Sequence, residues 1–332
     1  FGSNMYLVTG ATGFVGSAVL RQLLFAGYDV RVLARKKSDR RNLEGLECEI
    51  VEGDLNEPVS LRAAVRGCEN LFHVAADYRL WTPDPTELYR TNVAATVDLF
   101  RAAADSGVTR MLYTSSVATL GINPDGMPSD ETTPVSVDNM VGHYKRSKFL
   151  GEEAVSALVR DDGLPIVIVN PSTPIGPRDI KPTPTGRMIV EGAAGRMPAY
   201  VDTGLNVVHV EDVAIGHLLA FEKGEIGARY ILGGEDLSLR DILTEIAAIV
   251  GRKPPRISLP RGPLFPLAYA TEWLAKLRNS GEPMLTVDSL RMSQKRMFFS
   301  SAKAEKQLGY TARPALEALQ DAIRWFRDNQ YL

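Results

Sequence analysis

The chain has 332 residues, 45% hydrophobic and 23% charged, a composition that suits one large globular domain or two of moderate size. Lys+Arg number 38 against Asp+Glu 40, a net charge of -2, which excludes the basic footprint of a nucleic-acid binder. Two cysteines, Cys48 and Cys68, are too few for a disulfide framework, and no apolar run reaches the roughly eighteen residues that span a bilayer.

The leading FGSN reads as an added segment and no signal peptide precedes the first strand, so the expectation is a soluble, cytoplasmic protein. "MYLVTG" predicts a strand, followed by a helix over Phe14–Ala26 that Gly27 closes. "YDVRVLA" is followed by a short polar helix, "CEIVEGDL" by the helix of "EPVSLRAAVRGC", and "NLFHVAA" by a long helix over Thr86–Ser106. "VTRMLYTSS" and "LPIVIVNPS" flank a helix that begins near Tyr144. Parallel strands need helical crossovers, so this alternation predicts an α/β fold, a doubly wound parallel sheet covered on both faces. Runs such as "IVIV" agree, since such strands are buried on both sides. This domain is expected over residues 5–171, with a return to the sheet near 205–222 in "LNVVHVEDVAIGHLLAFE". Residues 172–332 read mostly as a smaller, partly helical substrate lobe, interleaved with it. Within it, Gly262–Leu277 holds two prolines, Glu272 and Lys276, and reads as an amphipathic helix covering a core or a partner.

The first strand ends in "TGATGFVGSAV". Gly10, Gly13 and Gly16 follow a strand and open a helix, the context in which a tight turn aims free N–H groups at a pyrophosphate. A side chain at Gly10 or Gly13 would obstruct the turn or the phosphate, and Gly16 lets the helix pack close on the sheet. A Rossmann-type dinucleotide site is therefore expected, taking in Gly10, Thr12, Gly13, Phe14, Val15 and Gly16. The second strand ends in Arg35 where an NAD enzyme would place an acid on the ribose. Lys36, Lys37, Arg40 and Arg41 follow it. A guanidinium there suits the 2′-phosphate of NADP, which is preferred over NAD; the bland alternative is a solvated basic loop. Asp54, before Leu55 at the end of the third strand, is either an acceptor for the adenine amino group or a helix cap before Pro58.

In "GHYKRSKFLGEE" Tyr144 and Lys148 are four residues apart and share a helix face, whereas Lys145 points about a hundred degrees away. A nearby ammonium favours a phenolate and makes tyrosine a usable acid or base. "YTSSVATLG" puts Ser115 and Ser116 at a strand's C-terminal edge, where ligands of open α/β sheets bind.

These motifs together resemble the extended short-chain dehydrogenase/reductase superfamily, which includes nucleotide-sugar epimerases, dehydratases and dihydroflavonol reductases. More narrowly, "LFHVAADYRLW", "YTSSVATLG", "YKRSKFL" and "NPSTPIGPRDIKPTPTGR" resemble the hopanoid-associated sugar epimerase group. The resemblance covers nearly the whole chain. It implies that Tyr144 is the acid/base, that Lys148 lowers its pKa and binds the nicotinamide ribose, and that Ser116 polarises the carbonyl, with Thr114 and Ser115 beside it. It implies that Ala75 and Ala76 line the cofactor, that Pro171 and Ser172 line the nicotinamide, and that Asn92 shapes the substrate site unless it only bonds backbone. A homodimer is implied through the helices over Thr86–Ser106 and after Tyr144.

Arg178, Lys181 and Arg187 lie beside the expected substrate mouth and suit a phosphate or carboxylate, or are merely solvated. The Trp81 loop closes over a substrate or packs on the lobe. His73, His143, His209 and His217 lack metal-ligand spacing, so no metal site is expected, and Cys48 and Cys68 read as inert. The function read from all this is hydride transfer on a small molecule, a secondary alcohol or ketone, which the resemblance implies is sugar- or polyol-linked in hopanoid metabolism. A net NADPH-dependent ketone reductase and a dinucleotide-sensing interaction protein are the alternatives.

Overall fold

A computed structural model describes residues 4–278, 283 and 285–332, which leaves most of the leading FGSN outside the described residues. The strands are β1 (Met5–Thr9), β2 (Asp29–Ala34), β3 (Glu49–Glu52), β4 (Asn70–His73), β5 (Arg110–Thr114) and β6 (Ile166–Pro171). They continue as β7 (Thr173–Ile175), β8 (Ala199–Tyr200), β9 (Gly204–His209), β10 (Arg229–Leu232), β11 (Glu235–Ser238) and β12 (Ile257–Ser258). The helices are α1 (Phe14–Phe25), α2 (Pro58–Val65), α3 (Thr86–Tyr89), α4 (Ala95–Asp105), α5 (Gly142–Asp162) and α6 (Pro184–Ala193). After them come α7 (Val210–Lys223), α8 (Leu239–Ile249), α9 (Leu264–Arg278), α10 (Val287–Met292), α11 (Ala302–Leu308) and α12 (Ala315–Asp328).

The main sheet has seven parallel strands in the order β10-β6-β5-β4-β1-β2-β3. Side chains alternate across each strand, and in the central strands both phases are largely apolar because both faces are covered. On β6, Val167 and Val169 join the core under α1, α7 and α11, whereas Ile166 and Ile168 join the core under α2, α4 and α5. The chain reverses its direction of winding between β1 and β4, which opens a crevice at their C-terminal ends. A third core, with Ile189, Ile246, Leu319 and Phe326, holds α6, α8 and α12 against β7 and β9.

Two segments differ from expectation. Of the return segment near 205–222, only α7 reaches the main sheet, covering one face. β9 instead pairs with β7 and β11 in a separate three-stranded sheet. The seventh strand of the main sheet is β10, further along the chain, beside β6. The helix expected over Thr86–Ser106 is interrupted by a π-turn at Arg90–Ala94. α9 buries only Ala268 and Ala275 and exposes Leu267, Tyr269, Trp273 and Leu277. No helix among the described residues is long and apolar enough to cross a membrane.

The π-turn has a packing partner. A glycine inside a helix costs about 0.5–1 kcal/mol relative to alanine, yet Gly151 sits in the middle of α5. A Cβ there would lie 2.4 Å from the Asn92 carbonyl oxygen, so the missing side chain lets α5 dock on the turn. Gly151→Ala should therefore destabilise the protein by about 1–3 kcal/mol despite its better helix propensity. Denaturant unfolding would show this as a lowered midpoint; a raised midpoint would contradict the packing argument.

Candidate active site

Parallel strands bring all their C-terminal ends to one edge, and the site is built there. β1 turns into α1 through Gly10, whose φ of +78° is left-handed and whose Cβ would meet the Ala75 amide nitrogen at 2.6 Å. A Cβ on Gly16 would lie 2.0 Å from the Gly10 carbonyl oxygen, while Gly13 is exposed and a Cβ on it would lie 3.2 Å from that oxygen. The first turn of α1 carries no acid, and its leading amides have no intrahelical partner. This is a cradle for an anion at the positive end of a helix dipole. Asn42, buried, ties the cradle down by donating to the Thr12 and Gly13 carbonyls at 3.3 and 3.4 Å.

Around the cradle, Arg40 pairs with Glu52 and Arg41 with Asp39, whereas Arg35, Lys36 and Lys37 stay exposed at the end of β2. Asp54 Oδ1 accepts from the Asn56 amide at 2.9 Å, the turn-capping use of that carboxylate, next to the half-buried Leu55. Ala75 and Ala76 are half-buried beyond β4, where the Ala75 N–H donates to Thr9 Oγ1 at 3.3 Å. At the end of β6 Pro171 is buried, and just beyond it Ser172 Oγ is buried without a hydrogen-bond partner, an orphaned hydroxyl that a bound cofactor would satisfy. The glycine cradle and this orphan fit a dinucleotide.

Tyr144 stands in the first turn of α5, opposite the end of β5. Burial raises the pKa of its phenol, and a hydrogen bond with the Ser116 hydroxyl opposes that rise. Ser116 is held in place because its Oγ accepts from the Ala118 N–H at 3.1 Å at the start of the 3₁₀ turn Val117–Thr119. Lys148 is buried one helical turn on. Its ammonium donates to the Thr114 carbonyl at 3.0 Å and the Tyr113 hydroxyl at 3.3 Å, and it lies 4.9 Å from the centre of the Tyr113 ring. Burial pulls it down to about 8, with Glu152 opposing. In this arrangement the Ser116 hydroxyl bonds the phenol, while the Lys148 ammonium is directed to the end of β5.

Beneath these residues lies a polar hub that the sequence reading missed. Glu152, 3% exposed, accepts from Thr119 Oγ1 and Asn170 Nδ2, both at 2.8 Å, from Ser115 Oγ, and from Arg229 Nη1 at 3.0 Å. It continues the stripe Tyr144–Lys148 by one more step of four residues, a signal that was present in the sequence. Asn92 is equally buried; its amide donates to the Asp77 carbonyl at 2.8 Å and to Ser147 Oγ at 3.0 Å, joining the loop after β4 to α5.

Arg178, expected at the substrate mouth, lies instead at the cofactor end. Its carbonyl accepts from Asn42, and its guanidinium is paired with Glu211 on α7. Arg187 is exposed on α6 and acts on Tyr78 and on Asp179, whose carboxyl burial pushes up to about 6. The Trp81 loop lines a cleft of about 290 Å³ with His143, Tyr269 of α9 and Arg291 of α10. His73 lies between Thr9 and Thr96 and His217 between Thr114 and Val213, both hydrogen-bonded in the core. His209 caps α7 and meets Asp321 of α12 at 3.1 Å. Among the described residues, no cluster of three or more His, Cys, Asp or Glu side chains is placed to hold a metal ion.

Residues 6–233 match the NAD dependent epimerase/dehydratase family. A protein of Synechocystis sp. that carries the name of a dihydroflavonol 4-reductase is 44% identical over 99% of this chain and 96% of its own length. Sterol demethylase protein B of Methylococcus capsulatus is 35% identical over 97% and 98%. Among solved structures, that of gox2253 superposes with a TM-score of 0.90 at 53% identity over 99% of both chains. A nucleoside-diphosphate-sugar epimerase from Pseudomonas aeruginosa gives 0.80 at 30% identity over 99% of both chains. With the parallel sheet and its glycine cradle, these matches show that the chain belongs to the NAD-dependent epimerase/dehydratase family of extended short-chain dehydrogenases/reductases and is an NAD(P)-dependent enzyme of that type.

Proposed function

We propose that this enzyme is an NADPH-dependent reductase of a ketone, with Tyr144 as the proton donor. The observation that carries this reading is the half-buried Tyr144, its phenol hydrogen-bonded with Ser116 at the sheet edge beside the glycine cradle. When bound, the dinucleotide supplies the hydride. The α1 amides and Gly13 hold its pyrophosphate, Arg35 takes the 2′-phosphate, and Lys148 takes the ribose hydroxyls beside Pro171 and Ser172. Ser116 donates to the carbonyl oxygen of the substrate and Tyr144 delivers the proton to that oxygen. Burial keeps the phenol protonated through neutral pH, which is the form a reduction consumes. The names of similar proteins support a reductase: cinnamoyl-CoA reductase 1 of rice is 30% identical over 99% of this chain, and a Stigmatella aurantiaca quinoline-oxide ketoreductase 28% over 96%.

A second reading, an epimerase acting on a sugar-linked substrate in hopanoid metabolism, has support from the matched nucleoside-diphosphate-sugar epimerase structure. It would return the hydride to the other face of a bound ketone. Reduction with cofactor deuterated at the transferring position should consume NADPH stoichiometrically and leave deuterium in the product; turnover without net absorbance change would favour the epimerase.

Tyr144→Phe should lower turnover by about 10²–10⁴-fold with NADPH affinity nearly intact, and an undiminished rate would refute the assignment. In the reductive direction the wild-type rate should be flat through neutral pH. It should then fall from about pH 8 as Lys148 loses its charge and, higher still, as the phenol does. A rate that climbs with pH across that window would contradict the proton-donor role. Arg35→Ser should reduce the preference for NADPH over NADH by about 10–100-fold, the worth of one charge-assisted contact, read as the ratio of the two kcat/KM values. No change in that ratio would return Arg35 to the solvated loop.

A further inference from the structure

Lys145 follows Tyr144 but is turned about a hundred degrees round α5 from it. Its half-buried ammonium reaches Met297 Sδ at 3.7 Å and makes no ion pair among the described residues. It lines a cavity of about 80 Å³ together with Lys295, Ala118, Gly121, Met140 and Met292, and the wall of that cavity contains no acid. Ala118 is the residue whose amide fixes the Ser116 hydroxyl, so the cavity adjoins the place where the carbonyl oxygen is held. Asp288, across from the start of α5 near Gly142, pairs with Arg291 at 3.8 Å.

A cation out of bulk water with no counter-charge is unfavourable, and a second cation at the same cavity adds repulsion. Burial and the Lys295 charge together pull Lys145 down to about 8. An anion seated between the two ammonium groups removes both penalties at once. The cavity is small and otherwise neutral, which matches a compact oxyanion at the end of a larger molecule. Arg178, by contrast, is already neutralised by Glu211.

We propose that Lys145 and Lys295 seat an oxyanion of the substrate, a carboxylate or phosphate group, beside the carbonyl that Ser116 and Tyr144 hold. The substrate class is then an anionic ketone, and the two lysines determine specificity. This rests on the hydride-transfer reading for what the anion is attached to, but the seat itself can be probed without turnover.

The wild type is saturated with NADP⁺, which fills the phosphate positions of the cofactor, and titrated with inorganic phosphate and separately with malonate by calorimetry. One or both should bind, about tenfold more weakly in Lys145→Met and in Lys295→Met, and with affinity kept in Lys145→Arg. The anion that binds identifies phosphate or carboxylate as the group. In steady state, the preference for a keto acid or ketone phosphate over its uncharged ester or alcohol should fall about tenfold in Lys145→Met. If neither anion binds, or both methionine variants bind as the wild type does, the proposal is overturned. Lys295 is exposed and its variant guards against a folding defect at Lys145. Lysine-dependent anion binding combined with undiminished turnover in Tyr144→Phe would sink the reductase reading and leave the seat standing.

Discussion

The helix α5, which carries Tyr144 and Lys148, is fixed to the sheet by one buried carboxylate. Glu152 gathers donors from the end of β5, the 3₁₀ turn after it, β6 and β10. Four separate segments therefore converge on a group one turn beyond Lys148 and two beyond Tyr144. A buried charge is tolerated only when its lone pairs are satisfied, and removing one partner of such a pair costs about 3–5 kcal/mol. The arrangement is accordingly all-or-none: if α5 rotated or slid, Glu152 would lose several bonds together. Tyr144 inherits its position from this requirement, and Ser116 inherits its own from the adjacent turn.

The same edge separates two electrostatic problems. At the cofactor end the chain offers free amides and exposed cations at Arg35, Lys36 and Lys37, while Arg178 is locked to Glu211 under the cradle. At the Tyr144 end the charges of Lys148 and Glu152 are buried and that of Lys145 is half-buried, and each is managed differently. Lys148 finds a carbonyl, a phenol and an aromatic face, and Glu152 finds four donors, but among the described residues the Lys145 ammonium meets a thioether. Equal residue types thus carry unequal obligations, which the burial of each one decides.

The fold was legible wherever the signal was local. Apolar runs and helix periods marked β1 to β6, and the glycine turn marked where a side chain could not be accommodated, as the close approach of Gly10 to Ala75 bears out. Pairing was not legible in the same way: "LNVVHV" reads equally well as a strand of either sheet, and only its distant partners β7 and β11 decide. The π-turn escaped because no local motif marks it, and the contact it makes, Gly151 against Asn92, joins residues on two helices. At the site, residue types and spacing drew attention to Tyr144, Lys148 and Ser116. They could not say where the Lys148 ammonium goes, since a long side chain turns toward whichever acceptor the tertiary structure supplies. Arg178 was misplaced for the same reason. Glu152 was visible as a third member of a stripe, but its role depends on Asn170 and Arg229, which arrive from other strands.

The chain crosses between sheet and lobe repeatedly, and this sets how the enzyme can vary. α7, β10 and α11 all lie beyond residue 172 in sequence, yet they cover or complete the dinucleotide half. A fragment ending at Pro171 would leave Phe72 and Val167 bare on one face, so the nucleotide half is not a detachable cassette. The lobe, whose α12 is tied by Asp321 to His209 at the cap of α7, is likewise no freely swinging cap. New substrate preferences in such an architecture arise by exchange of loop residues around a fixed frame, more readily than by grafting a whole lobe from elsewhere.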